Sequence, residues 1–196
     1  MIRSGLSSSG MPDKFPFSAL LDFLKSIDGQ LTQSCTVVVI GGSAVAAIDP
    51  AHATTDIDLL APGSRDFDEA VERLRSIGAP TLPVQVVTIA EGPEGFADRV
   101  LVVPIEGALK LSVFVPERHD LAMMKLARGY EHDLQALEDI HRIEPFDLET
   151  LVSRFDETEV VWPRRRFALA LLDLVARLFG EEEAKKRSLL LDGLSW

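Results

Sequence analysis

Residues Val37 to Leu60, VVVIGGSAVAAIDPAHATTDIDLL, constrain the fold more tightly than any other stretch of the chain. The run Val37-Val38-Val39-Ile40 has the length and β-branched content of a buried strand. It stops at Gly41-Gly42, where the backbone can adopt conformations that a side chain would block. Ser43 then opens a short helical piece, Ala44 to Ile48, which Asp49-Pro50 ends. Thr55-Asp56-Ile57-Asp58-Leu59-Leu60 reads as a second strand, and strand alternation sends Asp56 and Asp58 to one face. Adjacent carboxylates repel each other unless a positive charge lies between them. A divalent cation meets that need.

The rest of the chain supplies a frame for this stretch. Phe15 to Ile27 carries apolar residues at the spacing of one helix face, with Gly29 as its end, and Phe67 to Ile77 reads as a second amphipathic helix. Three strands are predicted at Val84 to Ala90, Val100 to Ile105 and Leu109 to Val115, the last two close enough for a hairpin. In the last of them Leu109, Leu111, Val113 and Val115 share a face. From Pro116 onward the pattern is helical: Glu117 to Ala127, His132 to Arg142, Phe146 to Phe155 and Pro163 to Phe179. Strands confined to one part of the chain, with helices around and after them, predict an α+β protein. The expected organisation is a disordered N-terminus over 1–13, an α/β core over 14–116 and a helical region over 117–196 packed on that core.

Composition narrows the function classes. The 196 residues carry a formal charge of −11, which argues against broad, nonspecific binding to DNA, RNA or anionic membranes. A nucleotide held through metal ions and a few local basic groups remains compatible with it. The single cysteine, Cys35, allows no internal disulfide and lies beside an apolar strand, so it reads as a buried hydrophobe. No apolar stretch is long enough to span a bilayer and no secretory signal is visible, which predicts a cytoplasmic protein with no membrane partner. Trp162 and Trp196 read as packing residues, and Arg164-Arg165-Arg166 as a solvated first helical turn.

A Gly-Gly-Ser turn ending one strand, with Thr-x-Asp-Ile-Asp opening the next, resembles the nucleotidyltransferase superfamily of the DNA polymerase β type. The wider string, GGSAV…TTDIDLL followed by PERHDLAMMKLARGYEHDLQALEDI, is similar to the bacterial minimal nucleotidyltransferases, among them the AbiEii-type toxins. The resemblance covers residues 36 to 142. It implies a polymerase-β-like fold with a mixed central sheet flanked by helices and a helical C-terminal half. It also implies an NTP substrate, Mg²⁺ or Mn²⁺ as cofactor, an RNA such as tRNA or a protein as acceptor, and an antitoxin as a candidate partner. Asp56 and Asp58 would be the metal ligands and catalytic carboxylates. Gly41, Gly42 and Ser43 would present backbone N–H groups, and Ser43 its hydroxyl, to the triphosphate.

By motif match Lys125 would meet a nucleotide phosphate, and Asp133 would serve as metal ligand or base. Lys125, Arg128 and His132 share a helix face if the helix runs through Gly129. The sequence departs from the family pattern at two places. His132 stands where an Arg commonly precedes the Asp. The strand LKLSVFV offers Lys110 and Ser112, and no acid, where superfamily members place a third carboxylate; Glu106 falls in the preceding turn. That gap motivates a second reading, a nucleotide-binding module without catalysis that works as a sensor or complex partner.

Overall fold

The apolar run at the centre of the sequence becomes the central strand of a sheet, β1 (Cys35–Ile40). The computed structural model describes residues 14–60, 64–87, 92–161 and 163–191. The segment 1–13, the end of the strand predicted at 88–90, Trp162 and Trp196 lie outside the described residues. Within the described residues β2 (Ile57–Leu60), β3 (Val84–Val87), β4 (Leu101–Val103) and β5 (Leu111–Val115) complete a five-stranded sheet. Its order is β3-β2-β1-β5-β4. β1 runs antiparallel to β2 and parallel to β5, while β2 is parallel to β3. The sheet is mixed, and the fold is α+β as the sequence predicts. β4 and β5 form the expected hairpin.

Alternation decides what each face of the sheet meets. Val37 and Val39 of β1, Ile57 and Leu59 of β2, and Leu111, Val113 and Val115 of β5 are buried. They share one core with Leu20, Leu24 and Ile27 of α1 (Phe17–Gln30) and Phe67, Ala70 and Leu74 of α3 (Arg65–Ser76). Cys35 is buried in the same core. The opposite face carries Thr36, Ser112 and Gln85, all exposed, and the half-buried Asp58.

Between β1 and β2 lies α2 (Gly41–Ile48), which packs against α4 (Arg118–Arg128) and α5 (Glu131–Ile143). α6 (Leu148–Asp156), α7 (Arg164–Phe179) and α8 (Glu181–Lys186) follow. Arg177 of α7 reaches Glu131 and Glu138 of α5 at 2.8 and 3.1 Å, clamping the two helices together. Arg164 is not a solvated side chain. It donates to the carbonyls of Phe155 and Thr158 and lies 4.4 Å over the Phe155 ring, which caps the end of α6. No helix among the described residues is long and apolar enough to cross a membrane.

Among the boundaries that differ from the sequence prediction, two lie beside Asp28. α1 continues past Gly29 to Gln30, and β5 begins at Leu111 with Leu109 89% exposed. Asp28, near the end of α1, takes the backbone N–H groups of Leu109, Lys110 and Leu111 at 3.1, 2.7 and 2.7 Å. The carboxylate thus occupies donors that a longer strand would have paired. Burial opposes its ionisation, but those three N–H groups and the Lys110 ammonium outweigh burial and hold the carboxyl below its ordinary 3.8. A group whose folded value is the lower one stabilises the fold above its unfolded value and loses that contribution as pH falls through the folded value. Asp28→Ala is therefore expected to lower the unfolding free energy at neutral pH by about 2 kcal/mol in urea titrations. The difference from the parent protein should shrink as the pH drops below about 4.

Candidate functional site

β1 runs directly into α2, whose first residue, Gly41, has φ +66°. A Cβ at Gly41 would lie 2.2 Å from Asp58 Oδ2, so only glycine lets that carboxylate rest on the helix start. A Cβ at Gly42 would lie 2.6 Å from Thr54 Oγ1. The N-cap is Ile40, which has no side-chain acceptor to offer the N–H groups of the first turn. Those groups carry the positive end of the helix dipole. The Ser43 hydroxyl, predicted to meet a phosphate, has another partner: it is buried and donates to the Asp56 carbonyl at 2.7 Å. It ties the helix start to the strand that carries the acids.

Asp58 lies within β2, and Asp56 immediately precedes the strand rather than sitting inside it. Burial first, and then the charge of Asp56, push the Asp58 carboxyl above its ordinary value; Arg128 and Lys125 pull it back. The two acids and the two bases thus form one electrostatic neighbourhood. Asp56 Oδ2 accepts a hydrogen bond from Gln85 Nε2 of β3 at 2.9 Å. Gln85 is also the residue paired with Asp58 across β2 and β3.

That pairing corrects the expected place of a third acid. β5 is separated from β2 by β1, two strand spacings or roughly 10 Å. Asp58 is level with Ile40 on β1, whereas Ser112 is level with Thr36, a further offset of about 13 Å along the strand. Neither Ser112 nor Lys110 can face the aspartates. Lys110 instead sends its ammonium to the Leu31 carbonyl at 2.5 Å.

α4 ends at Gly129, which has φ +66°, between the two helical segments the sequence predicts, so the condition for Lys125, Arg128 and His132 to share one helix face is not met. His132 is 76% exposed and stacks on Tyr130, yet its Nε2 lies 3.9 Å from Asp133 Oδ1, at the outer edge of the same cluster. The break folds α5 back so that Asp133 meets α4. Its Oδ1 accepts from Lys125 Nζ at 2.9 Å and from Arg128 at 2.7 Å. Lys125 is 4% exposed and Asp133 1%, while the Arg128 side chain is 44% exposed. Burial draws the Lys125 ammonium down from its ordinary value, Asp133 opposes that, and Arg128 adds to it. Asp133 Oδ2 is buried with no hydrogen-bond partner among the described residues. Both cations thus converge on a single oxygen of this carboxylate.

A protein-family model described as "Nucleotidyltransferase of unknown function (DUF6036)" matches residues 17–174. The chain belongs to this family. Its members are nucleotidyltransferases by description, which implies a nucleoside triphosphate as substrate. No curated protein and no solved structure gives a significant match.

In this nucleotidyltransferase the sequence reading missed Gln85. The one usable signal was a lone polar residue in the apolar run VQVV, and nothing in that run announces which strand it will pair with. Among the described residues no group of three or more His, Cys, Asp or Glu converges on one point. The donors for a divalent cation are the carboxylates of Asp56 and Asp58. They suit it, because both are hard oxygen donors and Asp58 Oδ2 lies against the glycine that opens α2.

Three expectations follow from the packing. Gly41→Ala should lose about 1–2 kcal/mol from backbone strain alone, with more from the displaced Asp58. Gly29→Ala, which meets open space at an ordinary φ, should gain about 0.5–1 kcal/mol in the same thermal denaturation series. Asp133→Asn should cost about 3 kcal/mol by stranding a buried ammonium, and the double change Lys125→Met/Asp133→Leu should recover part of that loss.

Proposed function

We propose that the protein transfers an NMP group from an NTP to an acceptor hydroxyl, with Mg²⁺ or Mn²⁺ held by Asp56 and Asp58. The acceptor oxygen forms a bond to the α-phosphorus, the bond from that phosphorus to the bridging oxygen breaks, and pyrophosphate leaves with its electron pair. The hydroxyl proton passes to the medium. When bound, the cation neutralises phosphate charge and orients the reacting oxygens. The observation that carries this reading is the contact of Asp58 with the glycine start of α2, in a chain of nucleotidyltransferase descent.

The residues of the chain divide the remaining work. The N–H groups of Gly41, Gly42 and Ser43 receive phosphate oxygens at the helix start. Arg128, the more exposed of the two cations, meets a phosphate directly, and Lys125 adds positive potential from beneath. Asp133 orients both. With a net charge of −11, an RNA acceptor such as tRNA would be held through a few local contacts, and a protein hydroxyl is the other acceptor class. A toxin-like role in the cytoplasm, checked by an antitoxin, follows from the resemblance of the motifs to AbiEii-type proteins. The core over 14–116 would hold the site, and the helical region over 117–196 would back it.

Gln85 favours a second reading, a nucleotide-binding module without turnover, because it brings a neutral amide to the aspartates. Incubation with Mg²⁺, each α-³²P-labelled NTP and cellular RNA or protein separates the two. Transfer of label that falls to background in Asp56→Asn and Asp58→Asn supports the transferase. Nucleotide binding by thermal shift with no transfer supports the module.

A further inference from the structure

Gln85 has no part in the reaction scheme above, yet it makes the one side-chain hydrogen bond from β3 to the acidic pair. Its side chain is exposed on the open face of the sheet, where no core packing holds it. Chemistry fixes which end of the amide faces Asp56. An amide oxygen against a carboxylate would set two acceptors together, so the NH₂ group must point there. The bond occupies Asp56 Oδ2 at 2.9 Å, while Oδ1 has only a long contact of 3.4 Å from Thr55 Oγ1. One oxygen of Asp56 is thus fixed by the amide, and the other keeps only the long Thr55 contact. The amide is also neutral. The strand neighbour of Asp58 adds no third negative charge to a site that Lys125 and Arg128 already make less negative.

We propose that Gln85 is a positioning residue that orients Asp56 and sets the cation affinity of the site at the level of two carboxylates. This rests on the cation reading given under the proposed function. Ligand charge count and the partners that hold a metal-ligating carboxylate are the two levers that tune divalent affinity. Position 85 controls both here. Gln85→Ala removes the hydrogen bond, and Gln85→Glu puts a carboxylate beside the other two.

Mn²⁺ titration of the full chain without nucleotide, followed by the electron paramagnetic resonance of free Mn²⁺, tests this directly. Gln85→Ala should weaken Mn²⁺ binding by about tenfold. Gln85→Glu should tighten it by roughly tenfold, because affinity rises with the number of charged ligands. In an Asp56→Asn background, Gln85→Ala should produce no further loss. Without metal, the melting temperature of Gln85→Ala should match the parent protein, as the side chain is exposed, whereas Gln85→Glu should melt lower and recover with Mn²⁺, because a third carboxylate then faces the other two. If both Gln85 variants bind Mn²⁺ like the parent while Asp56→Asn and Asp58→Asn lose it, the role of Gln85 is overturned and the cation site stands. If the aspartate variants also bind like the parent, the cation site falls and the role of Gln85 falls with it.

Discussion

The contact between the Asp58 carboxylate and the glycine that opens α2 governs the arrangement of this molecule. A carboxylate can approach a helix start this closely only where no Cβ intervenes, and Gly41 is left-handed as well, which removes every other residue from contention. The Ser43 hydroxyl closes the same joint from the other side by holding the Asp56 backbone. The acids of one strand and the N-terminus of the helix before it become a single rigid unit. Negative side chains and positive backbone dipole then sit together, and each makes the other tolerable. Burial first, and the neighbouring Asp56 charge after it, raise the Asp58 carboxyl, while Arg128 and Lys125 pull it back.

Behind this joint lies an ion cluster that ties α4 to α5. Lys125 and Arg128 of α4 converge on Asp133 of α5 across the break at Gly129. A buried ammonium with no counter-ion would cost several kcal/mol, so the break and the acid beyond it are needed together. The cluster keeps positive charge within electrostatic reach of Asp58 without letting it collapse onto the carboxylate. Asp28 plays a comparable part at the far end of the sheet, where it takes three N–H groups and decides where β5 begins.

Much of this was legible in the residues. The run VVVI, the two glycines and the alternating aspartates specified a strand, a turn and a strand, because side-chain period and glycine freedom are local properties. The helices of the second half were legible from their apolar spacing. The break between Glu117–Ala127 and His132–Arg142 was legible too, because glycine readily ends a helix in the left-handed conformation. Arg164 was misread because its acceptors, the carbonyls of Phe155 and Thr158, become available only when α6 ends beside α7.

The sequence by itself determined the α+β class, the buried strand and the placing of Asp56 and Asp58 beside a glycine turn. Each of these follows from neighbours in the chain and the short-range geometry of the backbone. Strand order was decided by tertiary structure alone. It put β3 beside β2, and so brought Gln85 to Asp56 and Asp58 while carrying Ser112 away from them. Tertiary structure likewise brought Asp133 to Lys125 and Arg128, because α5 folds back onto α4. Pairing between strands and the return of a helix depend on which surfaces the whole chain can bury at once, and no local pattern encodes that choice.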